Sequence, residues 1–565
     1  GTPSGIEVLA EPAGIFPPVQ QTVDEDKRRP LVPADETFVN YSSIEQSEFG
    51  LEVLEDLVSK GFVHRFDDLA ALKVRLGGSD PILSKLALIT TVKEGVYKHR
   101  LILDCRVSGV NDHAHKTERV LLPSAWDIVH DSLSMYAKLK PGEILKFMVC
   151  DYRDAFFMLP LHYSELRYCI AYYQGRYYSW DRIVQGSING PSVYGRLAAL
   201  TGRMGQGMSD TTVQRTQIYV DDPCTVARGT PEQCDRLSAR LILLWLVLGW
   251  SLSYHKGQHG SAVDWIGYSI TLADGYVTAS IKSEFMDAFT ELVRSTLREN
   301  VITIDALRSL AGKANHISTL IYAWRPFMDQ LWAALARKRP DNAPEGKVWI
   351  KSIASALEWF LVFLLLEPGM LIRRWRLDHY KDPGIKAAIH LDASPFGLGA
   401  VLIIRDVIVA WFAIPLSHDD LAIHKHRWGD CAGQQTWEAL VLLIAVKLWC
   451  PQWKEMKTSI TIKSDNMAAL SLAAKLKSKI RSLIAKELAL VMARASFQPR
   501  FIQHVPGAMN FSADALSRLW DPDGGYDIPA ALHSHLRVEV PRRDRSYYAT
   551  LQPMSCWGAG SSSGP

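Results

Sequence analysis

Two adjacent carboxylates, Asp221 and Asp222, lie between short β-prone runs in the stretch Thr216-Gln217-Ile218-Tyr219-Val220-Asp221-Asp222-Pro223-Cys224-Thr225-Val226. The pattern predicts a tight hairpin with its acids at the tip. Asp favours turns, so the pair alone is ordinary. Carboxylates held side by side repel unless a cation shares the site, and a divalent metal is the usual solution. Upstream, Phe147-Met148-Val149-Cys150-Asp151-Tyr152-Arg153-Asp154-Ala155-Phe156-Phe157 predicts a buried strand ending on Asp151. A strand-end Asp beside a hairpin pair is the arrangement two-metal phosphoryl transfer needs, one metal activating the attacking hydroxyl and the other stabilising the leaving oxygen. Between these segments lies Gln185-Gly186-Ser187-Ile188-Asn189-Gly190-Pro191, whose glycines permit close backbone approach to a ligand.

The second half carries a separate set of acids. Ala387 to Asp392 is strand-like and ends on an acid, followed by Gly397 and Gly399. Glu438 falls in a helical stretch from Thr436. A strand from Ser459 to Lys463 leads to Ser464-Asp465-Asn466, and the run from His504 to Leu516 contains Asp514. The predicted order is three strands, helix, strand, two helices, strand, helix. Four acids on separate elements are not a helix-face charge pattern. Carboxylates of this kind could gather divalent metal ions; His504 could shuttle protons or equally be a simple hydrogen-bonding surface residue.

Taken together, these motifs resemble a retroviral or retrotransposon reverse transcriptase with a ribonuclease H domain. Asp151-x-x-Asp154-Ala155-Phe156-Phe157 resembles the first catalytic motif of that family, and Gln185-Gly186 with Pro191 its template- and nucleotide-gripping motif. Tyr219-Val220-Asp221-Asp222 resembles the metal-binding hairpin, Leu248-Gly249-Trp250 with Lys256 the fourth motif, and Trp265-Ile266-Gly267-Tyr268 the primer grip. Lys98-His99-Arg100-Leu101-Ile102-Leu103-Asp104-Cys105-Arg106 resembles the fingers segment that holds the triphosphate. Asp392, Glu438, Asp465 and Asp514 match the four ribonuclease H carboxylates, with His504 ahead of the last.

The resemblance implies a right-hand α+β polymerase followed by an α/β ribonuclease H-like domain with a mixed sheet. Asp151, Asp221 and Asp222 would bind Mg²⁺, two ions per active site, with Mn²⁺ also suited to carboxylates. Phe156 would fill the steric gate and select deoxynucleotides. Arg100, with Lys98, would contact the triphosphate. Lys256 would donate a proton to pyrophosphate. Gln185 and Gly186 would touch the nucleotide or template base, and Asp154 lies in the same nucleotide-binding motif. The implied partners are an RNA template, a DNA primer, their hybrid and deoxynucleoside triphosphates. The alternative is a domesticated homologue that binds hybrids without full catalysis. Gly190 stands where a small hydroxyl residue is more usual, Pro223 follows the Asp pair, and Arg106 and Asn111 are spaced two residues wider than in retroviral fingers. These departures bear on specificity, not on the metal ligands. Long-terminal-repeat and tyrosine-recombinase (DIRS-type) elements both fit, with a lean to the latter.

The elements that must position these groups fall in a chain of 565 residues, enough for several domains. Apolar content is 48% and net charge only +3, so nucleic acid would meet local basic surface, with Lys313, Arg325 and the run Lys475 to Arg481 as candidates. Eight cysteines without a C-x-x-C pair suggest reduced thiols in an intracellular compartment. Apolar runs are too short to span a bilayer. The expected organisation is a flexible lead-in over 1–35, fingers and palm over 36–270, a helical thumb over 271–340, a short bridge over 341–385, the ribonuclease H domain over 386–520 and a mobile tail over 521–565. A helix is predicted from Ile44 to Lys60. Another is capped by Thr230-Pro231-Glu232-Gln233 and ended by Gly249. The missing initial Met and the Gly-Ser-rich end suggest a piece of a longer polyprotein.

Overall fold

The computed structural model describes residues 1–19, 29–31, 38–93, 95–336, 343–365, 371–380, 384–453, 458–476, 482–494, 501–505 and 509–552. The chain forms two units, residues 1–135 with 139–266, and residues 136–138 with 267–565.

In the first unit, α1 (Ser42–Glu45) and α2 (Gly50–Ser59) precede β1 (Val63–Phe66) and α3 (Leu69–Arg75). The long hairpin β2 (Lys85–Lys93) and β3 (Val96–Asp104) follows, then α4 (Val110–His113) and α5 (Ala125–Tyr136). β4 (Ile144–Val149) is central to a sheet completed later in the chain. β5 (Ile170–Tyr173) and β6 (Arg176–Trp180) join β1 in the order β1-β6-β5. After α6 (Gly190–Gly207) come β7 (Gln214–Tyr219), β8 (Asp222–Gly229), α7 (Pro231–Val247), β9 (Gln258–Gly260) and β10 (Ala262–Trp265). The sheet order β7-β8-β4-β9 buries β4 and β8 almost throughout, and β4 reads accordingly as a largely apolar run. The capping box forms as expected: Gln233 N–H donates to Thr230 Oγ1 at 3.3 Å, and Thr230 N–H to Gln233 Oε1 at 2.9 Å.

Two expectations change in this unit. The helix over Ile44 to Lys60 is broken between α1 and α2, because the Ile44 carbonyl accepts from Ser47 N–H and the Tyr173 hydroxyl (3.3 Å) instead of continuing the helical ladder. The lead-in is tied down over its described residues. Glu165, fully buried, accepts from the N–H groups of Ser4, Ile6 (3.0 Å), Glu7 (3.1 Å) and Val8 (3.0 Å). Buried Glu118 accepts from Ala13 (2.6 Å) and Gly14 (3.1 Å) and pairs with Arg196 at 2.8 Å. A buried carboxylate must be satisfied, and here the N-terminal backbone does it.

The second unit begins with a hairpin rather than helix, β11 (Tyr268–Ala273) and β12 (Tyr276–Ile281), followed by α8 (Ser283–Arg298), β13 (Val301–Thr303), α9 (Ile304–Leu320) and α10 (Arg325–Ala336). The expected bridge is built into this body. β14 (Lys347–Trp349) pairs with β13, α11 (Ala354–Leu365) packs its aromatic residues inward, and β15 (Ile372–Arg376) pairs with β12. Phe360 of α11 stacks on Trp324 at 4.3 Å. A helix this rich in buried apolar residues cannot remain a solvated linker. Lys313 is exposed on α9, whereas Arg325 is half-buried with its guanidinium 4.1 Å over the Tyr322 ring, so it is not the open basic residue expected.

The rest of the unit follows the expected order with one added helix. β16 (Ile385–Ala393), β17 (Gly397–Ile404) and β18 (Val407–Pro415) run antiparallel. The added helix α12 (His418–His424) is next, then α13 (Gln434–Trp449), β19 (Thr458–Ser464), α14 (Met467–Lys475), α15 (Ser482–Arg494), β20 (Phe501–His504), α16 (Phe511–Ser517) and β21 (Leu536–Arg537). The sheet order is β20-β19-β16-β17-β18-β21, with β16–β19, β19–β20 and β18–β21 parallel, so the sheet is mixed as expected. α13 is buried on every side from Thr436 to Val446. Over 521–552 the tail packs onto the rest of the unit. Arg543 pairs with Asp420, both buried, at 2.5 Å, Tyr548 is wholly buried, and Thr550 N–H donates to Glu487 at 2.6 Å. Residues 477–481 of the basic run and 506–508 after His504 lie outside the described residues. No described helix is long and apolar enough to cross a membrane. The seven described cysteines are free.

Candidate active sites

In the first unit, β7 and β8 close on Val220 and Asp221, with Tyr219 opposite Asp222. Val220 takes φ +54, costly for a β-branched residue and therefore a strained tip. Asp151 lies just beyond β4. Backbone bonds fix it from both sides: Cys150 N–H donates to Pro223 O (3.1 Å), Tyr152 N–H to Asp221 O (2.9 Å) and Ser253 N–H to Asp151 O (2.9 Å). Tyr152 stacks on Trp250 at 4.4 Å, and Trp265 Nε1 donates to Asp222 O at 2.9 Å. The Lys256 ammonium reaches both oxygens of Asp151, at 2.8 and 2.6 Å. Burial, then the neighbouring Asp221 and Asp151, push Asp222 up to about 6. Asp221 is also raised, by burial first and Asp151 next, against the opposing fields of Lys256 and Arg100.

The residues expected to hold a nucleotide divide into two groups. Lys98 and Arg100 are exposed on β3, and the field of Arg100 reaches Asp221. Phe156, in the turn Ala155–Met158, stacks on buried Tyr194 at 5.0 Å. Gln185 O accepts from Leu103 N–H at 3.2 Å, and Gly186 has φ +127. A Cβ at Gly186 would lie 2.0 Å from Leu103 O, so glycine is required. Asn111 fastens this loop, donating to Gly186 O (2.8 Å) and accepting from Ile188 N–H (2.9 Å). Asp154 turns aside with φ +53, its carboxylate 3.5 Å from Arg153.

In the second unit, Asp392 ends β16, Glu438 lies on α13 and Asp465 follows β19. One carboxylate oxygen from each falls within 4.8 Å of the others. Asp392 and Glu438 are buried and Asp465 is exposed. Burial is the largest cause that lifts Asp392 to about 7, with Asp465 and Asp514 adding to it and the Ser517 hydroxyl (2.5 Å) opposing. Burial and the fields of Asp392 and Asp465 raise Glu438 well above the ordinary carboxylate range. Gln434 Nε2 holds Glu438 Oε1 at 3.1 Å, and buried Oε2 has no hydrogen-bond partner. Asp514, on α16, is not drawn into the trio: it pairs with Arg518 at 2.7 Å. Gly399, paired with Asp392, lets α16 approach, since a Cβ there would lie 2.6 Å from Leu516 Cβ. His504 is exposed at the end of β20 opposite Ser464, at the same end of the sheet as Asp465.

Convergent hard oxygen ligands, mutual repulsion and an orphaned buried carboxylate oxygen fit a divalent cation such as Mg²⁺ in the second unit. In the first unit Asp151, Asp221 and Asp222 feel one another's fields, with Lys256 as a partial counter-charge, but their carboxylate oxygens do not gather within 4.8 Å as those of the second unit do. Sequence reasoning missed Ser517, Gln434 and Tyr194, and named Asn111 only for its spacing. Arg518 with Asp514 and Gln434 with Glu438 were legible from their i,i+4 spacing; Ser517, Asn111 and Tyr194 meet their partners through the fold.

No family model and no curated protein matches the chain. Among solved structures it is similar to a foamy viral protease-reverse transcriptase dRH in complex with double-stranded DNA, with 16% identity, TM-score 0.43, 85% of this chain and 74% of that one covered. It is also similar to the foamy viral protease-reverse transcriptase with double-stranded DNA (16%, TM-score 0.43, 84% and 87%) and with an RNA/DNA hybrid (13%, TM-score 0.40, 85% and 55%).

Proposed function

We propose that the chain is an RNA-directed DNA polymerase with a ribonuclease H site, of a retroelement type. The observation that carries this reading is an acid group in each unit: Asp392, Glu438 and Asp465, converged from three elements, and Asp151, within the electrostatic reach of the hairpin acids Asp221 and Asp222. Metal ions held by Asp151, Asp221 and Asp222, and by Asp392, Glu438 and Asp465, would supply Lewis-acid activation and charge neutralisation for phosphoryl transfer. In the first site, Lys256 holds the Asp151 carboxylate in place. Phe156, braced on Tyr194, sets a rigid wall that selects deoxyribose, and Gly186 brings the backbone against the nucleotide. Arg100 binds the triphosphate as a planar fork. In the second, Ser517 and Gln434 orient Asp392 and Glu438 toward a shared ligand, and His504 moves protons at the rim. Asp514 joins the ligands by leaving Arg518.

The test is extension of a DNA primer on an end-labelled RNA template with deoxynucleotides and Mg²⁺. Extension with template shortening is expected. Binding of the hybrid with neither product would replace this reading with the non-catalytic one.

A further inference from the structure

Ile372-Arg373-Arg374-Trp375-Arg376 forms β15, the third strand beside β11 and β12 within the second unit. The strands alternate cleanly. Tyr268, Ile270, Val277, Ala279 and Ile281 are buried on one face. Arg373 and Trp375 share that face, the guanidinium 5.7 Å over the indole ring and 5.8 Å over Tyr322.

The other face is of different chemistry. Register places Arg374 beside Thr278 and Thr271, Arg376 beside Tyr276 and Ala273, and Ile372 beside Ser280. Arg374 and Arg376 are exposed, and the Arg374 guanidinium sits 5.9 Å over the Tyr276 ring. Among the described residues no carboxylate is paired with either arginine. Asp274 lies in the β11–β12 turn, and Asp378 accepts from Tyr136 at 3.5 Å. On these three strands the face presents two guanidinium groups and a row of hydroxyls, with no acid among the residues of β11, β12 and β15. Residues two apart on a strand are separated by about 6.6 Å, close to the spacing of successive phosphates along one nucleic-acid strand. Guanidinium forks suit phosphate oxygens, and Ser and Thr hydroxyls commonly donate to the same backbone.

We propose that this outer sheet face binds the sugar–phosphate backbone of a nucleic-acid duplex, with Arg374 and Arg376 each meeting a phosphate and Thr271 and Thr278 flanking them. The inference rests on the polymerase reading and adds a surface to it outside both carboxylate trios. Its contacts carry no sequence preference.

The experiment measures binding of a labelled RNA–DNA hybrid by fluorescence anisotropy across a salt series, for wild type, Arg374→Gln/Arg376→Gln and Arg374→Lys/Arg376→Lys. Each phosphate contact contributes about 0.9 to the slope of log affinity against log salt. The Gln pair is expected to lower that slope by about 1.8 and weaken low-salt binding on the order of tenfold for every duplex sequence. The Lys pair is expected to restore most of the slope, and the melting temperature of both variants to match wild type. If the Gln pair melts early, each single Gln variant should lower the slope by about 0.9. Wild-type slope and affinity in the folded Gln variants would overturn the proposal. A wild-type protein that binds no duplex would instead overturn the polymerase reading.

Discussion

The two carboxylate trios solve the same electrostatic problem differently. In the first unit an ammonium, Lys256, straddles Asp151, and the field of Arg100 reaches Asp221. In the second unit the cation, Arg518, is paired with Asp514 and only its field reaches Asp392, so Asp392, Glu438 and Asp465 converge with no cation paired to any of them. The consequence is visible in the acids themselves: Asp222 rises to about 6, Asp392 to about 7, and burial and its acidic neighbours lift Glu438 well above its ordinary range. Removal from water without a counter-charge is costly. The second site is therefore the more dependent on a bound cation, and the first is partly neutralised by its own chain.

Three changes sharpen or break that contrast. The largest effect is expected from Glu438→Gln. It removes a buried charge whose Oε2 has no partner, so RNA cleavage should fall by at least about 10²-fold while primer extension persists. The metal-free protein should gain on the order of 1–3 kcal/mol. Unchanged metal-free stability would remove the claim that this carboxylate is uncompensated.

The second effect is pH-dependent. Asp392 binds a proton in the fold up to about 7 but only to 3.8 when unfolded. Between those values the folded state holds more protons, so its metal-free stability declines as pH rises through the window. A cation offsets that loss, so Mg²⁺ should raise the melting temperature more at pH 8 than at pH 5.5. The difference should shrink in Asp392→Asn. The corresponding window for Asp222 closes lower, at about 6. An Mg²⁺ shift independent of pH would contradict this.

The smallest effect is expected from Lys256→Gln, which makes the first site resemble the second. Lys256 is half-exposed, so the metal-free penalty should be under about 1 kcal/mol. Stabilisation by Mg²⁺ should grow relative to wild type. If it shrinks, Lys256 assists the metal instead of substituting for part of its charge.

What was legible in the sequence is what is locally encoded. The hairpin around Asp221 and Asp222, the capping box at Thr230 with Gln233, and the strand ends at Asp151 and Asp392 all follow from neighbouring residues. The contacts of the lead-in and tail were not legible because their partners are remote: Glu165 gathers N–H groups from Ser4 to Val8, and Asp420 captures Arg543. Pro-rich or Arg-rich composition describes solvation, not the buried acid waiting elsewhere. The stretch over 341–385 was underestimated for a related reason, since its strands acquire meaning only when β13 and β12 supply partners. In the sites, residue identity was readable but charge balance was not, because Lys256 meets Asp151 only through the fold.

The most direct test of two independent sites uses a preformed, end-labelled RNA–DNA hybrid carrying an extendable primer, with Asp221→Asn and Asp392→Asn compared in Mg²⁺. The account predicts that Asp221→Asn loses extension and still shortens the RNA, while Asp392→Asn extends the primer on an intact template. Undiminished synthesis by Asp221→Asn, or undiminished RNA cleavage by Asp392→Asn, would contradict it.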